Sequence, residues 1–317
     1  MNEPCLICLE DVAPGERHHP KCLQGLFGVR RAPAVDVELA KLYTIAQAMV
    51  GHTSISGIQR KISLGLTPDR ATLQVAIEGG QFILKPQAQT FPNLPENEHL
   101  TMRMAAAAGI DIPPCGLVHL RDDSLAYIVR RFDRVPPKAK LLQEDFCQLG
   151  ELSPKQKYEG SAELCARLVH RFASEPLVEA LKLFRRVVFT WWSGNGDMHL
   201  KNFSLLRSAE GLYRLSPAYD LLCTSLVVRD EQLALAVGGN KRDVTSRQWL
   251  EYAAYCKLTE KAAVRVLSEV RDTLEPALRL IGRSRLPAEM QEGYSALLRE
   301  RSAALGRAAV KGANAVG

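Results

Sequence analysis

One ten-residue segment concentrates side chains that can do acid–base and metal chemistry. Residues 194–203 read Gly-Asn-Gly-Asp-Met-His-Leu-Lys-Asn-Phe. Within the segment, Asp197 and Asn202 are separated by four residues. At this spacing, kinase catalytic loops place an aspartate that accepts the proton of a substrate hydroxyl and an asparagine that binds Mg²⁺. Asp220, eighteen residues beyond Asn202, offers a second acidic ligand for a metal that bridges phosphates. An isolated Asn-Gly-Asp is typical of a polar turn, whereas the ordered set favours phosphoryl transfer.

A strand-like run over 81–85 ends in Lys85, which could contact nucleotide phosphates. It is the third strand signal of a small predicted sheet, the place where kinases hold the lysine that contacts the α- and β-phosphates. A lysine at a strand end is by itself more typical of a solvated surface. Glu98, in the first turn of the next predicted helix, is the candidate ion-pair partner of Lys85, although a glutamate there also complements the helix dipole.

A polar segment over 52–61 precedes the first predicted strand, where a phosphate-covering loop would lie. Because it has a single glycine, it differs from the GxGxxG loop. Its serines, glycine and two cations could still bind phosphates through backbone N–H groups and charge. A flexible polar linker is the alternative interpretation. The candidate nucleotide-contacting residues of this loop are Ser56, Gly57, Ile58, Gln59, Arg60 and Lys61.

Three of the eight cysteines cluster with histidine near the N-terminus. Cys5-x-x-Cys8 and His19-x-x-Cys22 are two closely spaced pairs, an arrangement that suits a tetrahedral zinc site. A metal there could replace the core that a segment of about 25 residues cannot build. His18 is a competing ligand, and incidental cysteines in a frayed terminus are the alternative interpretation. The remaining cysteines are interpreted as reduced thiols of an intracellular protein.

The elements that must position these residues change in type along the chain. Helical spacing of apolar residues predicts helices over 34–50 and 96–108. Strand patterns bounded by turn residues cover 61–66, 72–77, 81–85, 116–120 and 125–132. We expect the first three strands to form an antiparallel meander in a small sheet.

Beyond Pro136-Pro137, which marks a hinge, the pattern is mostly helical. Helices are predicted over 162–173, 176–193 and 247–307, and short strands over 203–206 and 212–215. A small sheet lobe followed by a larger helical lobe is an α+β layout with a cleft at the junction, where ligands tend to bind. The expected division is a Cys/His segment over 1–30, a sheet lobe over 31–135 and a helical lobe over 136–317.

The composition excludes several classes of protein. The 317 residues are 46% hydrophobic and 24% charged, which is ordinary for a globular protein and unlike a mostly disordered one. No apolar run approaches the roughly 20 residues of a membrane-spanning helix, and the N-terminus lacks the layout of a secretory signal. We therefore expect a cytoplasmic protein with no membrane partner. A net charge of +6 permits binding to polyphosphates or nucleic acid without demanding it.

Six segments occur in an order that carries a family resemblance. They are Ser-Ile-Ser-Gly-Ile-Gln-Arg-Lys-Ile-Ser-Leu, Phe-Ile-Leu-Lys-Pro, Pro-Glu-Asn-Glu-His-Leu-Thr-Met, Val-Arg-Arg-Phe-Asp-Arg, Gly-Asn-Gly-Asp-Met-His-Leu-Lys-Asn-Phe-Ser and Ala-Tyr-Asp-Leu-Leu. Together they closely resemble the HipA-type serine/threonine kinases of bacterial toxin–antitoxin systems, over roughly residues 50–245. The resemblance implies a bilobal protein-kinase-like α+β fold with a small antiparallel-sheet N-lobe and a larger helical C-lobe.

The resemblance also implies roles for individual residues. Asp197 would be the catalytic base, and Asn202 and Asp220 would bind Mg²⁺. Ser54 and Ser56 would be autophosphorylation sites that switch the nucleotide loop, because a phosphate there adds like charge beside ATP. Besides the loop over 56–61, the residues assigned to the nucleotide site are Lys85, Glu98, the adenine-facing hinge Arg130, Arg131 and Phe132, and His199, Lys201 and Tyr219.

The sequence also departs from that family. HipA proper begins with an additional subdomain of about a hundred residues, comparable to a small domain, whereas this sequence begins with the Cys/His segment. It therefore resembles the shorter HipT form, whose missing part is supplied by a separate small HipS-like protein. The other implied partners are a HipB-like antitoxin, through which any contact with DNA would be made, and a protein substrate such as an aminoacyl-tRNA synthetase.

Two other functions remain open. A small-molecule kinase of the aminoglycoside type would predict an acidic substrate pocket in the helical lobe. A catalytically inactive regulator would act on DNA through an antitoxin, and salt-dependent DNA binding by the isolated chain would favour it. The intact set of Lys85, Asp197, Asn202 and Asp220 instead favours an ATP- and Mg²⁺-dependent serine/threonine protein kinase.

Overall fold

The structure is a computed structural model that describes residues 3–35, 37–41, 60–76, 78–135 and 139–313. Over these residues the chain forms the predicted α+β fold, with a sheet-rich lobe followed by a helical lobe. Each helix in the described part of the chain is too short or too polar to span a bilayer.

The sheet of the first lobe has six strands among the described residues. In chain order they are β1 (Ala34–Val35), β2 (Ile62–Leu66), β3 (Thr72–Val75), β4 (Phe82–Pro86), β5 (Cys115–His119) and β6 (Leu125–Arg130). Their spatial order is β1-β3-β2-β4-β6-β5. β1 pairs with β3 in parallel, and the other neighbours are antiparallel. The pairing of β4 with β6 places Lys85 opposite Tyr127.

The predicted meander of the first three strand patterns is wrong in its order. β2 lies between β3 and β4, with Leu64 opposite both Val75 and Phe82. The physical reason is burial: β2 buries Ile62 and Leu64, whereas β3 leaves Gln74 and Val75 exposed. The more apolar strand therefore takes the interior position. The antiparallel pairing of these strands is confirmed.

The helix predicted over 34–50 is wrong at its beginning. Ala34 and Val35 form β1 and pair with Thr72 and Leu73 at the sheet edge. Val35 is buried and Ala34 is exposed, as in a strand. Pairing with a distant strand overrides the local helical pattern here, because propensity is only a weak preference. Residues 39–41 are helical, and residues 42–50 lie outside the described part.

Two longer helices belong to the described part of the first lobe. Helix α1 (Pro20–Phe27) contains Cys22, and α2 (Leu94–Ala107) packs against β5 and β6. Asn97 of α2 is fully buried; its Nδ2 donates to the Cys223 carbonyl at 2.9 Å, and its Oδ1 accepts from the Cys223 N–H at 2.8 Å. These two hydrogen bonds fix α2 against the chain segment that follows Asp220.

The second lobe is built around a buried helix. Its helices are α3 (Phe146–Leu149), α4 (Ala162–Phe172), α5 (Pro176–Trp192), α6 (Ser246–Tyr255), α7 (Glu260–Arg271), α8 (Leu274–Gly282) and α9 (Ala288–Ala313). The helical region predicted over 247–307 comprises α6 to α9. Helix α5 contacts α4 and α7 and buries Leu183, Phe184, Val188 and Phe189 completely, so it forms the centre of this lobe.

Two small sheets complete the fold. β7 (Arg134–Val135) and β8 (Ala139–Lys140) pair with each other, and β9 (Gln143–Asp145), β10 (Ser204–Arg207) and β11 (Tyr213–Leu215) form a sheet of order β11-β10-β9. The predicted hinge at Pro136-Pro137 lies outside the described residues. The segment over 194–203 connects α5 to β10, so a buried helix and a paired strand hold its two ends.

Candidate active site

Charged groups from three distant parts of the chain meet at Lys85. Lys85 lies in β4 with its side chain buried, and its Nζ donates to Glu98 Oε1 on α2. The same Nζ donates to Asp220 Oδ1 at 2.5 Å and lies 5.4 Å from the centre of the Tyr127 ring. Because all of these partners are buried or nearly so, the ion pairs fix the sheet, α2 and the Asp220 segment relative to one another.

Asp220 receives a second cation. Lys61 Nζ lies 2.6 Å from Asp220 Oδ2, so each carboxylate oxygen accepts from one ammonium group. Asp220 has a left-handed backbone with φ of 56°, which is uncommon outside glycine. Burial by itself raises the pKa of Asp220, but Lys61 and Lys85 outweigh it and hold the pKa well below its usual value. The carboxylate is therefore ionised at neutral pH.

Burial acts on both members of the Lys85–Glu98 pair. It raises the pKa of Glu98 above the usual value, against the lowering effect of the Lys85 charge. It lowers the pKa of Lys85, but the charges of Asp220 and Glu98 prevail, and the net pKa of Lys85 is raised. The charge of Lys85 is thus held by its two acidic partners, whereas burial raises the pKa of Glu98 to about 7 even beside Lys85.

Backbone and amide hydrogen bonds shape the loop around Asp197. The N–H of Asp197 donates to Asn195 Oδ1 at 3.0 Å. Its carbonyl accepts from Asn202 Nδ2 at 3.0 Å and from the His199 N–H at 2.8 Å. Because this hydrogen bond uses the amide nitrogen of Asn202, its Oδ1 could serve as an oxygen ligand of a metal ion. A side chain at Gly196 would meet the backbone carbonyl oxygen of Gln232 at 2.5 Å as well as Glu231 Oε1 at 2.2 Å, so only glycine fits this position.

Charges from several elements surround one space beside Asp197. Burial lowers the pKa of Lys157, while the charge of Asp197 raises it and the charges of Lys61 and Lys201 lower it further. Burial, helped by the charge of Lys157, also lowers the pKa of His199 to about 4, so His199 is neutral at pH 7. Ammonium groups and carboxylates therefore lie near one another around Asp197, and groups of these two kinds bind the polyphosphate and divalent cation in kinases.

Other predicted residues lie behind or beside this space. Lys201 Nζ lies 2.7 Å from Asp145 Oδ2, and the Tyr219 hydroxyl donates to the Lys201 carbonyl at 3.0 Å. Lys201 is thus ion-paired, and Tyr219 supports the loop from behind. The ring of Tyr219 lies 5.7 Å from that of Phe132, the last of the three predicted hinge residues.

The adenine-facing hinge predicted at Arg130, Arg131 and Phe132 is partly engaged in the sheet. The N–H of Arg130 donates to the Pro114 carbonyl at 2.9 Å, and that of Arg131 to the Gln81 carbonyl at 2.8 Å. The Arg131 side chain forms two hydrogen bonds with Asp133. An adenine contact through backbone N–H groups would therefore fall to residues after Arg131.

Part of the predicted nucleotide loop is outside the described residues. This holds for Ser54, Ser56, Gly57, Ile58 and Gln59. Arg60 and Lys61 are described, and Lys61 reaches Asp220 as stated above.

The N-terminal Cys/His residues form a second cluster. The ligand atoms of Cys5, Cys8, His19 and Cys22 all lie within 4.8 Å of one another. His19, and not the competing His18, supplies the imidazole of this cluster. All eight cysteines of the chain are free thiols in the structure.

Comparison with known proteins identifies the family. A sequence profile of the HipA-like C-terminal domain matches residues 53–278. The chain belongs to this family. The match includes Lys85, Glu98, Asp197, Asn202 and Asp220, so the whole ionic cluster and the loop lie within the HipA-like region.

Two sequence relatives agree with this assignment. The chain is 36% identical over 179 residues to Y4mE of Sinorhizobium fredii, a provisionally named kinase, covering 54% of this chain and 42% of the relative. It is 26% identical over 204 residues to the serine/threonine-protein kinase toxin HipA of Shewanella oneidensis, covering 58% and 46%. The HipA-like region thus spans about half the length of these relatives.

The solved structure of Shewanella oneidensis HipA with HipB and its operator DNA has a TM-score of 0.69 to this chain at 19% identity, covering 92% of this chain and 74% of that one. This likeness supports the bilobal HipA-like fold over nearly the whole chain.

The sequence did not reveal Tyr158 as part of the HipA-like site. Its hydroxyl donates to Asp197 Oδ1 at 2.5 Å, and its ring lies edge-on to His199 with 5.1 Å between ring centres. Tyr158 is 39 residues from Asp197 in a polar stretch without periodicity. No local spacing could have indicated this contact, because only the fold creates it.

Proposed function

We propose that this HipA-like chain is an ATP- and Mg²⁺-dependent serine/threonine protein kinase that phosphorylates itself and a protein substrate. The observation that carries the proposal is the convergence of Lys85, Glu98 and Asp220 in one buried ionic cluster, in the lobe arrangement of a kinase. Asp197 and Asn202 lie on one hydrogen-bonded loop of the neighbouring lobe. Phosphoryl transfer depends mainly on such positioning and on charge neutralisation.

The donor set fits a magnesium ion. Asp220 offers an ionised carboxylate and Asn202 an amide oxygen, and hard cations prefer oxygen ligands. Asp220 accepts from two ammonium groups in the structure, at 2.5 and 2.6 Å, and a metal ion would replace at least one of them. When bound, Mg-ATP would supply the transferable phosphoryl group and the charge that neutralises its oxygens.

Residues of the chain would bind the phosphates and orient the substrate hydroxyl. Lys85 would bind phosphate oxygens while Glu98 holds its ammonium in place. Asp197 would accept a hydrogen bond from the substrate hydroxyl and orient it toward the phosphoryl group. The hydroxyl of Tyr158 donates to Asp197 Oδ1, so the substrate hydroxyl would bind Oδ2 or take the place of Tyr158.

The wider assignments rest on the family. The Shewanella oneidensis HipA structure contains HipB and operator DNA. We accordingly propose a HipB-like antitoxin as partner, DNA contact through that antitoxin, and a separate HipS-like protein. The proposed substrate is an aminoacyl-tRNA synthetase, whose phosphorylation would arrest translation in the cytoplasm. We also propose that the Cys/His segment, the N-lobe and the C-lobe divide near residues 30 and 135.

Autophosphorylation provides the test of this function. After incubation of the full chain with Mg-ATP, intact mass spectrometry should show the added mass of a phosphate group, and peptide analysis should locate it on Ser54 or Ser56. The reason is that both serines belong to the 52–61 segment, whose Lys61 reaches Asp220. A variant with both serines changed to alanine should lose the label, whereas Ser208→Ala should keep it. A wild-type chain that acquires no phosphate, or that is labelled equally without Mg²⁺, contradicts the proposal.

A further inference from the structure

We propose that Cys5, Cys8, His19 and Cys22 bind one structural zinc ion, and that the zinc-bound segment supports the helix that carries Glu98. This site is separate from the phosphoryl-transfer site, and its existence does not depend on the proposed kinase function. The segment meant here covers residues 3–31 and is called the N-terminal clasp below.

The distances within the cluster suit a tetrahedral metal. A zinc ion with bonds of about 2.3 Å to sulfur and about 2.0 Å to nitrogen holds its ligand atoms roughly 3.5–3.8 Å apart. The His19 Nδ1 atom lies 3.3 Å from Cys8 Sγ and 3.8 Å from Cys22 Sγ. All four ligand atoms are within 4.8 Å of one another. Three thiolates and an imidazole form a soft, closed donor set, which is typical of structural zinc rather than of magnesium or calcium.

The surroundings of His19 match those of a metal ligand. Its Nε2 donates to the Asp11 carbonyl at 2.9 Å, which fixes the tautomer and leaves Nδ1 as the atom that faces the thiols. Metal-binding histidines commonly donate their other ring nitrogen to a backbone carbonyl in this way. Asp11 in turn forms a β-bridge with Pro4, which closes the turn that holds Cys5 and Cys8.

The zinc would cross-link the turn of the clasp to α1, two parts that pack into different hydrophobic cores. Leu6 and Leu9, from the turn, pack into the large core shared with α2 and the helical lobe. Leu26 and Phe27, from α1, pack into a different core on the sheet, where the Phe27 ring lies 5.4 Å from that of Phe82. The four ligands join the turn to the beginning of α1, so one metal would hold both parts together.

The clasp contacts the helix of Glu98 directly. His99, the next residue on α2, donates from Nε2 to the Ile7 carbonyl at 3.0 Å, between the ligands Cys5 and Cys8. The Leu6 carbonyl accepts from the Leu117 N–H of β5 at 2.7 Å. A side chain at Gly116 would come within 2.8 Å of Ile7, so the turn and the sheet are in close contact.

The clasp also reaches the helical lobe. Arg283, just after α8, pairs with Glu10 and lies 3.2 Å from Asp11 Oδ2. Arg285 lies 2.9 Å from Glu3 Oε2. The metal-bound turn therefore contacts α2 on one side and the second lobe on another, and loss of the metal should loosen the position of α2.

Metal content gives the first test. The full chain, purified under reducing conditions without chelator, should contain one zinc ion per chain by inductively coupled plasma mass spectrometry. Cys8→Ser and Cys22→Ser should lose it. Cys147→Ser is the matched control, because Cys147 is buried away from the cluster and its Sγ contacts the Ser153 carbonyl at 3.6 Å, a contact that serine can replace. A wild-type chain without stoichiometric zinc that also fails to take it up on refolding, or one with a disulfide among these cysteines, overturns the proposal.

Cobalt substitution keeps the test independent of how the variants fold. The wild-type chain loaded with Co²⁺ should show the intense visible bands of tetrahedral cobalt and a near-ultraviolet thiolate charge-transfer band. Weak octahedral bands would overturn the assigned ligand set.

Hydrogen exchange then tests the link to α2. Removal of zinc by chelation should speed amide exchange over residues 94–107 more than over α5. Equal exchange rates over residues 94–107 with and without the metal would overturn the proposal that the zinc-bound segment supports α2. A chain that binds zinc but transfers no phosphate would leave this inference intact and contradict only the kinase proposal.

Discussion

Asp197→Asn is expected to reduce phosphate transfer by about 1,000-fold, within the range found for loss of a general base. This corresponds to about 4 kcal/mol of activation free energy. Asparagine has nearly the same shape, and its Oδ1 can still accept from Tyr158, but it cannot accept the proton of a substrate hydroxyl. The loop should persist because Asn195, His199 and Asn202 form hydrogen bonds with the backbone of residue 197, which the substitution leaves unchanged. The measurement is the initial rate of γ-phosphate incorporation at saturating Mg-ATP.

Asp272→Asn is the matched control for this variant. Asp272 is largely exposed at the end of α7 and pairs with its neighbour Arg271. The Asp272→Asn variant should transfer phosphate at the wild-type rate. The melting temperatures of both variants should lie within a few degrees of that of the wild-type chain. A rate for Asp197→Asn within tenfold of wild type, in a folded protein, would assign the proton transfer to another group.

Lys85→Met is expected to lower the free energy of unfolding by about 3–5 kcal/mol, the usual cost of leaving a buried charge without its partner. Glu98 is 1% exposed and would lose the ammonium that opposes the effect of burial on its pKa. An acid whose pKa is raised on folding loses stability as pH rises above its unfolded value, near 4.5. The loss in this variant should therefore be greater at pH 8 than at pH 5.5. Urea unfolding at the two pH values measures it.

The double variant Lys85→Met/Glu98→Gln separates stability from function. Because no buried charge is left unpaired at position 98, it should regain a large part of the lost stability. It should not regain phosphate transfer, because the group that binds phosphate is still missing. Equal stability of the single and double variants would show that the Lys85–Glu98 pair does not act as described here.

Features set by neighbouring residues were predictable from the sequence. The loop around Asp197 is one short segment, and Lys85 and Glu98 each belong to an element with a clear pattern. The lobe order and most helix and strand positions follow from the same local periodicity. The family resemblance added the expected relation between these pieces, which periodicity alone does not contain.

Features set by contacts between distant residues were not predictable. The order of β2 and β3 depends on which strand buries more apolar surface, and β1 forms only because Ala34 and Val35 meet β3. Tyr158 reaches Asp197 across 39 residues, and Lys61 reaches Asp220 across 159. In each case the partner is chosen by the folded sheet or cleft, which no local window of sequence describes.

A crystal structure of the full chain with Mg²⁺ and a non-hydrolysable ATP analogue would test the proposed phosphoryl-transfer site most directly. We expect a metal ligated by Asn202 Oδ1 and an Asp220 carboxylate oxygen, Lys85 on the phosphates, and Asp197 facing the terminal phosphoryl group. Asp220 would exchange at least one of its ammonium partners for the metal. A nucleotide bound elsewhere, or a metal that contacts neither Asn202 nor Asp220, would contradict it.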